Sequence, residues 1–146
     1  MPTAEELAYI AGFVDGEGCI GIHQWKKGSF INRSIRVILT NTDPSVLRWI
    51  QGVYGGSLRC TNPVKNWSIR WDLCLSSRKA SAFLVDIQPY LRMKNKQAEM
   101  CLLFQSRRIL SKNQINKTWN KAWDESLVDA IHKLDRRGTN ESDASR

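Results

Sequence analysis

The sequence predicts an α+β domain in which helices cover one side of an antiparallel sheet, and three observations carry that reading. Apolar residues recur at helical spacing near the N-terminus. The period then shortens to two between Gly18 and Leu39. The same helix-then-two-strands pattern comes round again before the chain turns wholly helical, which gives the order α-ββ-α-ββ-α-α-α. At 146 residues and 42% hydrophobic, the chain can bury one substantial core and is too short for two, so a single domain is expected over residues 1–135.

Each element has its own local signal. Thr3 and Glu6 have the spacing of a capping box, and Leu7, Ile10, Ala11 and Val14 follow on one stripe, predicting a helix over 4–16. Gly18 to Trp25 alternates, Lys26-Lys27-Gly28-Ser29 reads as a turn, and Ile31, Ile35, Val37 and Leu39 share one side of a second strand. Asp43 before Pro44 reads as an N-cap with proline at the first helical position; Leu47, Ile50, Val53 and Tyr54 form the stripe, and Gly55-Gly56 ends it. Ser57 to Thr61 and Trp67 to Leu75 read as a second hairpin around Asn62-Pro63, with Ile69, Trp71, Leu73 and Leu75 on one side. Ala80, Phe83, Leu84, Ile87 and Leu91 mark a third helix, and another is expected over 96–108. The last carries Trp119, Ala122, Trp123, Leu127, Ala130 and Leu134, its tryptophans read as core. Residues 136–146 are polar enough for a disordered tail.

Composition narrows the class of partner. Lys and Arg outnumber Asp and Glu 22 to 14, for a net charge of +8, which favours a polyanion over an acidic small molecule. Polar residues interrupt every apolar run well short of the roughly 20 residues that span a bilayer, so no membrane partner is expected. Met1-Pro2-Thr3-Ala4-Glu5-Glu6 is acidic where a secretory signal is basic, which points to an intracellular protein that is not secreted. Cys19, Cys60, Cys74 and Cys101 form no C-x-x-C pair and His23 and His132 stand far apart. Zinc is therefore poorly supported, and the thiols are expected to be reduced.

In the first helix Ala8, Gly12 and Gly16 stand four apart, so one face has almost no side chain. A glycine within a helix costs about 1 kcal/mol relative to alanine, which asks for a compensating close approach of another backbone. Two readings are open: tight packing within the chain, or a two-fold interface where the stripe meets its own copy.

Ile10-Ala11-Gly12-Phe13-Val14-Asp15-Gly16-Glu17-Gly18 resembles the LAGLIDADG motif of homing endonucleases. The element order resembles that family's αββαββα core, and Gln88-Pro89-Tyr90-Leu91-Arg92-Met93-Lys94-Asn95-Lys96-Gln97-Ala98 resembles the lysine-bearing segment of its single-motif, homodimeric members. The resemblance implies a saddle-shaped antiparallel sheet, with additional C-terminal helices, and a homodimer joined through Ala8, Ala11, Gly12, Asp15 and Gly16. It implies Mg²⁺-dependent cleavage of both strands of a long pseudo-palindromic DNA duplex, with no small-molecule cofactor. By the same resemblance Glu17 ligates the metal, the Gly16 carbonyl assists, Asp15 supports helix packing, and Lys94 is an active-site lysine. Asn41 stands where relatives often carry a solvent-orienting Gln, though a turn-forming Asn before Asp43-Pro44 is an equally good account. Ser45 replaces a basic residue of some relatives, and whether Arg48 substitutes is open.

If Ile20, Ile22, Ile35, Val37, Leu39, Ile69, Trp71 and Leu73 face the helices, period two puts another set on the open face. That set is His23, Trp25, Asn32, Ser34, Arg36, Arg59, Thr61, Ser68, Arg70 and Asp72, with Ile38 in the same register and Lys27 at the hairpin tip. It offers the donors, acceptors and charge that a β-surface needs in a major groove, although any antiparallel sheet has one polar face. The expected function is a homing endonuclease. The alternatives are a LAGLIDADG-like protein that binds without cutting, as an intron RNA maturase or DNA-binding regulator, and a small basic structural protein.

Overall fold

The computed structural model describes residues 1–62, 69–113 and 125–135, apart from the side chains of 109–113. The elements are α1 (Ala4–Glu17), β1 (Gly18–Lys27), β2 (Phe30–Asn41), α2 (Ser45–Tyr54), β3 (Ser57–Thr61), β4 (Arg70–Ser76) and α3 (Ser77–Ile87). A single 3-10 turn (Gln88–Tyr90) leads to α4 (Asn95–Asn113), and residues 125–135 are helical. This is the expected mixed α+β order.

The capping box forms: Thr3 N–H donates to Glu6 Oε2 at 2.8 Å, and Glu6 N–H donates to Thr3 Oγ1 at 3.2 Å. Lys27 pairs with Phe30, so Gly28-Ser29 closes the first hairpin as a two-residue turn. One cap differs in detail. The first helical hydrogen bond, Arg48 N–H to Pro44 O at 2.8 Å, puts Pro44 at the N-cap position, yet Asp43 still serves the start of the helix, its carboxylate accepting from Ser45 N–H at 2.9 Å. That hydrogen bond holds the Asp43 carboxyl below its ordinary value. After α2 the chain doubles back through Gly56, whose φ of 104° no other residue type adopts readily and where a Cβ would stand 2.7 Å from Leu75 Cδ2. β4 runs straight into α3 with no connecting residue, and Ser77 turns that corner at φ 51°.

The strands lie in the order β1-β2-β4-β3, all antiparallel. Alternation gives the sheet a dry side: Ile20, Ile22, Ile35, Val37, Leu39, Leu73 and Leu75 are buried under the four α-helices, which all contact the sheet. Leu47 and Ile50 of α2, Phe83, Leu84 and Ile87 of α3, and Ala98, Cys101 and Phe104 of α4 complete one continuous core. Burying each large aliphatic or aromatic side chain contributes about 1.5–3 kcal/mol, so this one cluster dominates the fold's stability.

Three expectations need correction or fall outside the described residues. Ile69, expected to face the helices, is 50% exposed, because the ladder with β3 begins only at the Thr61 and Arg70 pair and leaves Ile69 beyond its end. Over 125–135 the most buried residues are Val128 and Ile131, while Leu127, Ala130 and Leu134 flank them, so the stripe is rotated from the one expected. Trp67, Ser68, Trp119, Ala122, Trp123 and the 136–146 tail lie outside the described residues.

The four thiols are all free, with Cys19 and Cys60 exposed and Cys101 buried. Burial, with Asp135 and Cys19 nearby, pushes the Cys101 thiol up to about 12. At pH 8 the native protein should therefore label quickly at Cys19 and Cys60, with Cys101 reacting only after denaturant is added; mass spectrometry of the labelled peptides checks the order.

Candidate nucleic-acid interface and helix-end site

α1 ends at Glu17, and its last carbonyls have no partner within the helix. The negative end of the helix dipole calls for positive charge, yet the last turn of α1 holds no basic residue. Lys94 supplies it from far along the chain. Its ammonium donates to Val14 O and Asp15 O, both at 3.0 Å, and to Gly18 O, so all three of its N–H donors are used. The contact is reciprocated: the Asp15 carboxylate accepts from the backbone N–H groups of Arg92, Met93 and Lys94 at 2.9, 3.2 and 3.0 Å. A charged side chain from each segment thus fixes the other's backbone. Hydrogen bonds to charged groups contribute about 1.5–3 kcal/mol each when buried, and less here because both side chains are only half-buried.

Glu17 itself is exposed, and no hydrogen bond or ion pair engages its carboxylate among the described residues. Gly18 follows with its α-carbon pressed onto the helix end, where a Cβ would stand 2.7 Å from Val14 O. Ala8, Gly12 and Gly16 are exposed, and a Cβ built on either glycine meets nothing within 4 Å. Packing inside the chain therefore gives no reason for these glycines. Ala11 is placed differently from the expectation, being fully buried in the core, because it lies a quarter-turn round the helix toward the sheet. Tyr9, 56% exposed, borders the stripe and packs against Trp49 at 6.3 Å.

Asn41 accepts Asp43 N–H on its side-chain oxygen at 2.9 Å, the turn-forming geometry. Arg48 stacks its guanidinium 5.1 Å from the ring centre of Trp71, and Ser45 begins α2.

The pairing register puts His23, Trp25, Lys27, Asn32, Ser34, Arg36, Ile38, Arg59, Thr61, Arg70 and Asp72 on the face away from the helices. Ser68 lies outside the described residues. Ser34 keeps this register yet is only 7% exposed, and His23 stacks on Trp25 at 5.6 Å. Arg36, Arg59 and Arg70 line one shallow depression of about 400 Å³ with Thr40, Ser57, Asp72 and Cys74. Asp72 organises it, accepting from Thr40 Oγ1 at 2.7 Å and pairing with Arg70 at 3.4 Å. Thr40, Ser57 and Cys74 were missed by sequence reasoning, though strict alternation from Ile38, Arg59 and Asp72 would have included them. Phe30, 75% exposed, was missed too, opposite Lys27 at the tip.

Arg33 has the reverse placement. It is 9% exposed on the helix side, donating from Nε to Gln24 Oε1 at 2.9 Å and reaching Glu125 at 4.0 Å. Not every basic residue of the sheet is therefore available to a polyanion.

No protein-family model matches the chain, and no curated protein does. Solved structures do. The homing endonuclease I-CvuI, in complex with DNA, matches with a TM-score of 0.70 at 22% identity, over 89% of this chain and 82% of that one. The fold is that of the LAGLIDADG homing endonucleases. The group I intron-encoded I-CeuI on DNA shares the LAGLIDADG fold with a TM-score of 0.67 at 16% identity, over 90% of this chain and 68% of that one. I-GzeII, described as a LAGLIDADG homing endonuclease in complex with its DNA target, has a TM-score of 0.64 at 17% identity, over 88% of this chain and 43% of its own. The nine residues Ile10 to Gly18 span the last two turns of α1 and its junction with β1.

The donor set at that junction suits a hard divalent cation: an exposed carboxylate beside the Gly16 carbonyl, oxygen ligands throughout. Among the described residues no group of three or more His, Cys, Asp or Glu side chains gathers to hold a metal.

Arg36 and Arg70 test the open face. If each reads a guanine edge, alanine substitution should cost about 1–3 kcal/mol of duplex binding and relax preference at one position per half-site. Binding selection from randomised duplexes checks this, and a uniform loss across all sequences would make them phosphate contacts instead.

Proposed function

We propose that this chain is one subunit of a homodimeric, site-specific DNA endonuclease that cuts both strands of a long pseudo-palindromic duplex with a divalent metal. The observation that carries the reading is an unpartnered Glu17 carboxylate at the end of a helix whose glycine stripe is open to solvent. A bare helix face is an invitation to a second backbone, and a copy of the same stripe satisfies it with two-fold symmetry. Each subunit then brings one Glu17 and one Gly16 carbonyl to the seam. A divalent ion bound there supplies charge neutralisation and an activated water at a scissile phosphate.

The remaining work falls to the chain's own residues. The net charge of +8 attracts the duplex, and the polar face of β1 to β4 offers arginines, amides and hydroxyls to base edges. The solved structures of similar fold support this reading, being complexes with DNA, and I-CvuI is described with Mg or Ca present. A LAGLIDADG-fold protein that binds without cutting would keep the polar sheet but has no use for an unpaired acid at a helix end. Such an acid opposes the helix dipole, typically by about 0.3–1 kcal/mol.

Two variants check the proposal. Gly12→Leu places a branched side chain where two backbones would meet, so sedimentation should show 16.7 kDa monomer or aggregate, against a wild-type dimer of twice that mass. An intact dimer would remove α1 from the interface. Glu17→Gln keeps the size and loses the charge, so cleavage of a selected duplex in Mg²⁺ should fall by orders of magnitude while binding in Ca²⁺ survives. Undiminished cleavage would sink the assignment of Glu17 to the metal.

A further inference from the structure

Lys94 is the residue whose contacts fit its expected role least. A lysine that acts on phosphate or on the attacking water needs a free N–H donor, and all three donors of Lys94 end on backbone carbonyls. The choice of carbonyls is selective. Val14 O, Asp15 O and Gly18 O are held, whereas Gly16 and Glu17, the two residues between them with metal-ligating oxygens, are passed over. The lysine therefore grips the backbone on both sides of the ligand pair. Asp15, by holding the N–H groups of Arg92, Met93 and Lys94, keeps the lysine's own backbone in place while it does so.

We propose that Lys94 is a positioning residue: it fixes the α1-to-β1 junction so that the Gly16 carbonyl and Glu17 carboxylate are presented together to a divalent cation. The proposal rests on the metal-dependent reading above and deepens it. Without the ammonium, the junction's carbonyls turn to water and the exposed end of α1 frays, separating two ligands that must act as one. The effect on metal affinity has a definite sign. An ammonium acting only through its charge repels a nearby cation, so its loss would tighten metal binding. An ammonium acting through the backbone makes its loss weaken metal binding.

The experiment compares full-length wild type, Lys94→Met and Lys94→Arg. Calorimetric titration of Ca²⁺ into the protein on a duplex that wild type binds reads the metal site without turnover. Lys94→Met should bind Ca²⁺ at least about tenfold more weakly, the scale on which ligand-orienting groups act. Lys94→Arg, which can still donate to several carbonyls, should recover much of that loss. Amide hydrogen exchange of the metal-free proteins should show faster exchange at Gly18, Cys19 and Ile20 in Lys94→Met alone. Unchanged or tighter Ca²⁺ binding by Lys94→Met, with exchange as in wild type, overturns the proposal and returns Lys94 to direct chemistry. If Lys94→Met does not fold, Lys94→Arg decides: exchange, Ca²⁺ affinity and cleavage all as in wild type support positioning, and a loss of cleavage with exchange and affinity intact overturns it. A wild type that takes up no Ca²⁺ on DNA and cuts nothing in Mg²⁺ would instead remove the endonuclease reading itself.

Discussion

The exchange of charges between α1 and the segment after α3 is the constraint on which the candidate site depends. Asp15 holds three consecutive backbone N–H groups and Lys94 holds three backbone carbonyls, so two segments nearly eighty positions apart are locked in register. Each side chain answers a need created by ordinary secondary structure. A helix end exposes carbonyls and a negative dipole, and a tight turn exposes N–H groups. Meeting both needs with opposite charges leaves Glu17 as the acid of the junction without a partner among the described residues.

Most of the fold could be read from the sequence because its signals are local and periodic. The capping box at Thr3, the alternation of β1 and β2 and the stripe Ala80-Phe83-Leu84-Ile87 each depend on residues within a few positions of one another, and each formed as read. The failures came where geometry depends on distant partners. Ile69 has the parity of a core residue, but where the ladder with β3 stops is not a property of its own strand. Ala11 belongs to both the small-residue pattern and the apolar stripe, and only the position of the sheet decides between them. The site was less legible than the fold: the motif singled out Glu17 and the segment from Gln88 to Ala98 singled out Lys94, but neither could show that the lysine's donors point at backbone.

Charge counting would also have misled. Arg33 and Arg36 stand three apart on one strand and therefore on opposite faces, one packed beneath the sheet with Gln24 and Glu125 nearby and the other lining the open depression. Arg70 is shared with Asp72, which also fixes Thr40, so the depression is a network with defined polarity rather than a uniform basic patch. A surface of this kind can reject as well as attract, since a carboxylate among arginines penalises acceptors that approach it.

Alternation along the strands has a consequence for how such a protein can change over generations. Outward residues contribute little to the buried cluster that holds the chain together, and inward residues contribute nothing that a ligand on the open face can touch. Drift at His23, Asn32, Arg36 or Arg59 can therefore change the chemistry of the surface while the scaffold keeps its stability margin. That separation makes the open face the place where substitution costs the fold least.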